Sequence, residues 1–192
     1  MHRRLRRRLS HQTKKPSRPP QRKSALPAPK NNKLWLIGHM SIQHQPAKLT
    51  SAQIQHMVGG AMWLSQHSPL HRKYVVAEWQ QRIVPAFELN QFCYYEDEQG
   101  RPVAFCNWAF LSEQNREALL SGEREISQSD WRSGQHIFIP EMIAPFGHGR
   151  QVVNDLRRRV FLPWKGQKVC TVRGKVDAQN DRCIRKVQWF SI

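Results

Sequence analysis

The apolar positions of this chain change period along its length, and the changes mark its elements. Ile54, Met57, Val58, Ala61 and Met62 recur at three- and four-residue steps, which predicts an amphipathic helix over residues 52–66. Gly59 and Gly60 oppose it. Ser68-Pro69 announces a second helix, because Ser is a good N-cap and Pro is tolerated at the first helical position. Tyr74, Val75, Trp79 and Ile83 carry that helix forward, and Pro85 kinks or ends it. Residues 91–95 and 102–111 are β-rich runs around a polar turn ending at Gly100, which predicts a hairpin. A helix over 113–120 follows, closed by Gly122 as a C-cap. Residues 136–143 predict a strand with a bulge or sheet edge at Pro140. A helix over 150–160 puts Val152, Val153, Leu156 and Val160 on one face, with Arg150, Arg157 and Arg158 away from it. Strands near 168–173 and 182–190 close the chain. The order, α-α-β-β-α-β-α-β-β, is that of an α+β domain: a mainly antiparallel sheet flanked by helices.

Residues 1–50 show neither period. Pro16, Pro19, Pro20, Pro27 and Pro29 break any helix beyond the first ten residues, so this stretch reads as a disordered arm, with the folded domain over residues 51–192. Leu34-Trp-Leu-Ile37 is its one apolar patch, either a short strand on the domain or loose. The formal net charge is +17, and residues 1–33 hold seven Arg, five Lys and no acid, so most of the charge belongs to the arm. Such an arm suits a solvated extension, nucleic-acid or anionic-surface binding, or a transit peptide.

At 192 residues the chain has room for one proper core. No apolar run approaches the roughly 20 residues that cross a bilayer, and no signal-peptide core follows the basic start, so a cytosolic protein is expected. Cys93, Cys106, Cys170 and Cys183 form no C-x-x-C pair, which argues against a zinc site and for reduced thiols in or near the core.

Two groups stand out chemically. His71, in the first turn of the expected second helix, is an imidazole whose neutral form a helix N-terminus favours, as a base requires. Glu141 is a carboxylate in an apolar strand, either facing outward or serving to orient and charge an imidazole. Ser68 caps the helix. The strand–Gly147-His148-Gly149–helix passage resembles a phosphate- or pantetheine-cradling turn, and His148 is a rival base.

Ser68-Pro-Leu-His-Arg72, Ile83-Val-Pro-Ala86, Asn90-Gln-Phe92, Pro102-Val-Ala-Phe-Cys-Asn-Trp-Ala109, Asp130-Trp-Arg-Ser-Gly134 and Ile143-Ala-Pro-Phe-Gly147 occur in the order and spacing of the toxin-activating lysine acyltransferases, the "C" proteins that activate RTX toxins such as haemolysin. The resemblance covers about residues 56–165 and leaves out residues 1–50. It implies a fold similar to the Gcn5-related N-acetyltransferases. It also implies transfer of a fatty acyl group from acyl carrier protein to internal lysine ε-amines of a protoxin in the bacterial cytosol. No bound cofactor is implied; the acyl carrier protein is a co-substrate. By motif, His71 matches the family's essential histidine and Ser68 its nearby functional serine. Glu141 stands where the family usually has aspartate, one methylene shorter. Gly147, Gly149, Arg150, Arg157 and Arg158 are the expected contacts of the carrier and its pantetheine arm, since the carrier is acidic. The protoxin is the expected partner, and a homodimer is one possible assembly. Two other classes stay open: a nucleic-acid-binding module working through the basic arm, and a coenzyme-A-dependent acetyltransferase, although the fuller Arg/Gln-x-x-Gly-x-Gly/Ala signature of that superfamily is absent.

Overall fold

The computed structural model describes residues 41–42, 49–176 and 183–192. The basic arm therefore lies outside the described residues, except for Ser41, Ile42, Leu49 and Thr50, and so does the 34–37 patch. Of 175–184, only the backbone of strand residues is described.

Helix α1, Ser51–Gln66, starts where a capping box forms: Thr50 Oγ1 accepts from the Gln53 amide at 3.2 Å, and Gln53 Oε1 accepts from the Thr50 amide at 2.9 Å. Met57, Ala61 and Leu64 form its buried face. Gly60 sits in this helix because Tyr94 crosses it closely. A Cβ at Gly60 would lie 1.8 Å from the Tyr94 hydroxyl oxygen.

The expected second helix is instead three pieces. After a turn at residues 68–70, His71–Lys73 forms one 3-10 turn and the backbone is extended at Tyr74 and Val75. Helix α2, Val76–Arg82, then begins, followed by α3, Val84–Leu89. Ser68 does not simply cap a helix, because its hydroxyl goes to the His71 ring, and β-branched Val75 settles in the extended region. Pro85 does not end a helix either. It occupies the first turn of α3, where a missing N–H costs nothing.

The strands are β1 (Ser41–Ile42), β2 (Phe92–Glu96), β3 (Pro102–Asn107), β4 (Ala109–Leu111), β5 (His136–Ile139), β6 (Met142–Ile143), β7 (Lys168–Val176) and β8 (Cys183–Ser191). They pair in two sets, β1-β2-β3-β6 and β4-β5-β7-β8. All pairings are antiparallel except β5 with β7. That parallel pair is joined through α5, Gly149–Asp155, in the crossover that parallel strands need. The α+β class expected from the sequence is the class observed. Helix α4, Glu113–Ser121, ends at Gly122 with φ 83°, the left-handed cap a glycine supplies.

Successive β2 residues face opposite ways. Phe92 and Tyr94 join a core with Met57, Leu64, Trp79 and Ile83; Cys93 and Tyr95 join a second with Val152, Leu156 and Phe161. Both faces are covered, so β2 is buried throughout.

Two strand runs are each broken once, and the breaks are neighbours. β3 and β4 part at Trp108; β5 and β6 part at Pro140-Glu141. Asn107 clasps them: its amide donates to Glu141 O at 3.1 Å, and its Oδ1 accepts from the Glu141 amide at 2.9 Å. The bulge expected at Pro140 is thus a bend shared by two strands, and Glu141 sits on it. The helix expected over 150–160 is α5 followed by a π-helical turn, Leu156–Val160, in which the Phe161 amide donates to Leu156 O at 2.7 Å.

Candidate active site

The bend turns the Glu141 side chain inward, and the broken second helix turns His71 toward it. Glu141 is 3% exposed and His71 8%. His71 Nε2 lies 2.8 Å from Glu141 Oε2, and His71 Nδ1 lies 2.6 Å from Ser68 Oγ. Seventy residues apart in sequence, histidine and carboxylate meet only through the fold. Ser68 and His71 meet because they are three apart on one tight turn, held by the Arg72 amide donating to Ser68 O at 3.1 Å.

Three groups converge on the Glu141 carboxylate. Besides the His71 ring, the Tyr74 hydroxyl donates to Oε1 at 2.9 Å, and Arg82 Nε donates to the same oxygen. Burial alone would raise the Glu141 pKa. The His71 hydrogen bond and the Arg82 charge outweigh it and hold the carboxyl below its ordinary value. The same neighbourhood pushes the Tyr74 hydroxyl well up, by burial first and the Glu141 charge second. For Arg82, burial works against the charge, but Glu141 overcomes it and the guanidinium is held more firmly protonated.

These partners assign the imidazole tautomer. An ionised carboxylate only accepts, so His71 Nε2 carries the hydrogen. Nδ1 of the neutral ring is then a lone pair and accepts from the Ser68 hydroxyl. The result is a row, Ser68–His71–Glu141, in which a hydroxyl faces a base and the base faces a buried anion. The sequence placed His71 at a helix N-terminus; the structure places it in a 3-10 turn, where Ser68 and Glu141 replace the helix end as its electrical setting.

The row opens on a cleft of roughly 1200 Å³. Ser68, His71 and Glu141 line one part; Gly147, Gly149, Arg150 and Arg157 line another, with Arg173, Trp189 and Phe190 on the β7–β8 side. The structure thus brings together the candidate residues except the rival base His148 and Arg158, the latter exposed on the π-helical turn outside the cleft lining. Among the described residues, Glu141 is the only acid in that lining, against three arginines. Arg157 is steadied by donating to Ser191 O at 2.7 Å and by stacking over Phe190. His148 is buried and does not line the cleft. Gly147 has φ 93°, which glycine tolerates best.

Arg82, Tyr74 and Asn107 escaped the sequence reading. Arg82 reads as an exposed basic residue on a helix; it in fact contacts Glu141, Glu125 and Pro140 O. Asn107 Nδ2 also donates to Arg82 O at 2.8 Å, so one amide holds both the carboxylate's strand and its arginine. Its signal was a polar side chain inside a wholly apolar β run. Three cysteines, Cys93, Cys106 and Cys170, are buried free thiols. Among the described residues there is no group of His, Cys, Asp and Glu that could hold a metal ion, and no helix long and apolar enough to cross a membrane.

A hydroxyl–imidazole–carboxylate row at the head of a cationic cleft is an arrangement that can activate a nucleophile, acyl transfer included. Residues 50–191 match the RTX toxin acyltransferase family, and the chain belongs to that family. It is 86% identical over 153 residues to the lysine-acyltransferase RtxC of Vibrio cholerae serotype O1, covering 80% of this chain and 100% of that protein. It is 32% identical over 134 residues to the leukotoxin-activating lysine-acyltransferase LktC of Mannheimia haemolytica serotype A11, covering 70% and 75%. With the protein-lysine myristoyltransferase HlyC of Escherichia coli it shares 32% identity over 103 residues, covering 54% and 60%. The protein is an acyltransferase.

Proposed function

We propose that this protein moves a fatty acyl group from acyl carrier protein to internal lysine ε-amines of an RTX-type protoxin and so activates it, in the bacterial cytoplasm. The observation that carries the reading is the Ser68–His71–Glu141 row opening on the arginine-lined cleft. The relatives' names, lysine-acyltransferase and protein-lysine myristoyltransferase, support an amine acceptor and a fatty acyl donor.

A lysine amine with a pKa near about 10.4 is mostly protonated at neutral pH and attacks only as the free base. His71 takes the proton that the amine gives up during attack on the activated acyl carbonyl. Glu141, held ionised by its hydrogen bond to His71 and the charge of Arg82, fixes the ring and stabilises the imidazolium. Arg150 and Arg157 meet the acidic face of the carrier, and the thioester arm lies along the cleft toward Ser68.

The test is reconstitution with acyl carrier protein, a protoxin and the purified enzyme, followed by peptide mass spectrometry. Wild type adds one acyl mass per modified lysine, and a coenzyme A thioester of the same chain is the poorer donor. Acylation from coenzyme A alone, with none from the carrier, would move the assignment to the coenzyme-dependent class.

A further inference from the structure

His71 has no free nitrogen. Nε2 faces Glu141 Oε2 at 2.8 Å and Nδ1 faces Ser68 Oγ at 2.6 Å. His71 and Ser68 both line the cleft, but the ring is buried with each nitrogen partnered, whereas Ser68 is half-buried. A thioester carbonyl entering the cleft can therefore meet the Ser68 oxygen without disturbing the row, but it cannot meet an unpartnered imidazole nitrogen. Pro69 follows Ser68, and the His71 amide points back to Ser68 Oγ at 3.5 Å, so the hydroxyl is held on the Nδ1 side of the ring.

We infer that Ser68, not His71, carries the acyl group between donor and acceptor, as an ester on Oγ. The inference rests on the functional reading above and adds its covalent step. In the first half, Ser68 Oγ attacks the thioester carbonyl carbon and its proton passes to His71 Nδ1. The carbon–sulfur bond breaks, and the departing thiolate takes that proton. An acyl ester on Ser68 and a free carrier thiol remain. In the second half, a lysine ε-amine attacks the ester as the free base and one of its protons passes to Nδ1. The carbon–oxygen bond breaks, and Ser68 Oγ recovers its proton from Nδ1. Thioester plus amine becomes amide plus thiol, with nothing oxidised or reduced. Ser68 is thus the catalytic nucleophile, His71 moves the proton in both halves, and Glu141 steadies the ring that moves it.

The experiment mixes wild-type enzyme with acyl carrier protein bearing one fatty acyl chain, without protoxin, and quenches in acid. The expected result is a burst of about one equivalent of carrier thiol and one acyl mass on the peptide containing Ser68. That ester is cleaved by hydroxylamine and discharged by adding protoxin. Ser68→Ala forms no adduct and loses roughly 100-fold or more of lysine acylation. Ser68→Cys forms a thioester adduct at the same position, which also shows that the turn tolerates substitution. An acyl mass on His71, or protoxin acylation by wild type without a burst or adduct, overturns the inference and leaves the functional reading standing. So does a Ser68→Ala enzyme within a few-fold of wild type. If wild type acylates no lysine from this donor, the functional reading fails and the inference falls with it.

Discussion

Taking a carboxylate out of water favours its protonated form, yet Glu141 must be an anion to hold the His71 ring by Nε2. The His71 hydrogen bond at Oε2 and the Arg82 charge at Oε1 resolve the conflict, and the Tyr74 hydroxyl donates to Oε1 beside Arg82. Arg82→Leu leaves the buried carboxylate under-compensated and costs roughly 3 kcal/mol of stability. It also raises the Glu141 pKa, so the acid limb of the activity profile moves to higher pH. Arg82→Lys recovers part of that shift, which a merely structural role would not do. Stability follows the same linkage. The folded Glu141 pKa lies below its unfolded value, so the stabilisation is fully present above the ordinary carboxylate range and is lost as pH falls through the folded value. Urea unfolding of Glu141→Gln between neutral and acid pH should show a flatter acid limb than wild type; equal slopes would contradict the assignment. Reach matters too. The Glu141 side chain is long enough to reach His71 at 2.8 Å. Glu141→Asp should withdraw the carboxylate and cost roughly 10- to 100-fold in kcat/KM.

At the scale of elements, the site is made by two interruptions: the bend at Trp108 and Glu141, and the break between the 71–73 turn and α2. Asn107 secures the first. Asn107→Ala removes its side chain's hydrogen bonds to the Glu141 amide and Arg82 O, costing about 1–3 kcal/mol and displacing two members of the site at once. Its thermal midpoint and kcat/KM should fall together. Gly60→Ala should destabilise despite alanine's better helix propensity, because the new Cβ meets the Tyr94 hydroxyl. A stabilised Gly60→Ala would show that α1 can move away from β2. Regular elements were legible in the sequence because their periods are local: α1, the β2–β3 hairpin, α4 and the β7–β8 pair fall close to where the apolar pattern puts them. The interruptions were not. Ser68's preference for an imidazole over a helix cap depends on Glu141, which is remote in sequence. Pro140 signalled a bulge, but only the pairing with Asn107 reveals that the bulge points a carboxylate inward. Likewise nothing in residues 76–82 distinguishes Arg82 from a solvated arginine.

For the molecule as a whole, charge divides the work. Among the described residues the cleft carries Arg150, Arg157 and Arg173 around a single buried carboxylate, a charge pattern that suits the proposed acidic carrier. Arg150→Glu with Arg157→Glu should raise KM for the acyl carrier at least about tenfold at low ionic strength, and the difference from wild type should narrow as salt rises. No change in KM at low salt would place docking elsewhere. The central claim, that the Ser68–His71–Glu141 row performs lysine acylation, is tested most directly by peptide mass spectrometry of the protoxin after reaction with wild type and with His71→Ala. Acyl masses on internal lysines with wild type, falling by roughly 100- to 10,000-fold with His71→Ala, are the predicted result. Equal acylation by the two proteins would contradict it.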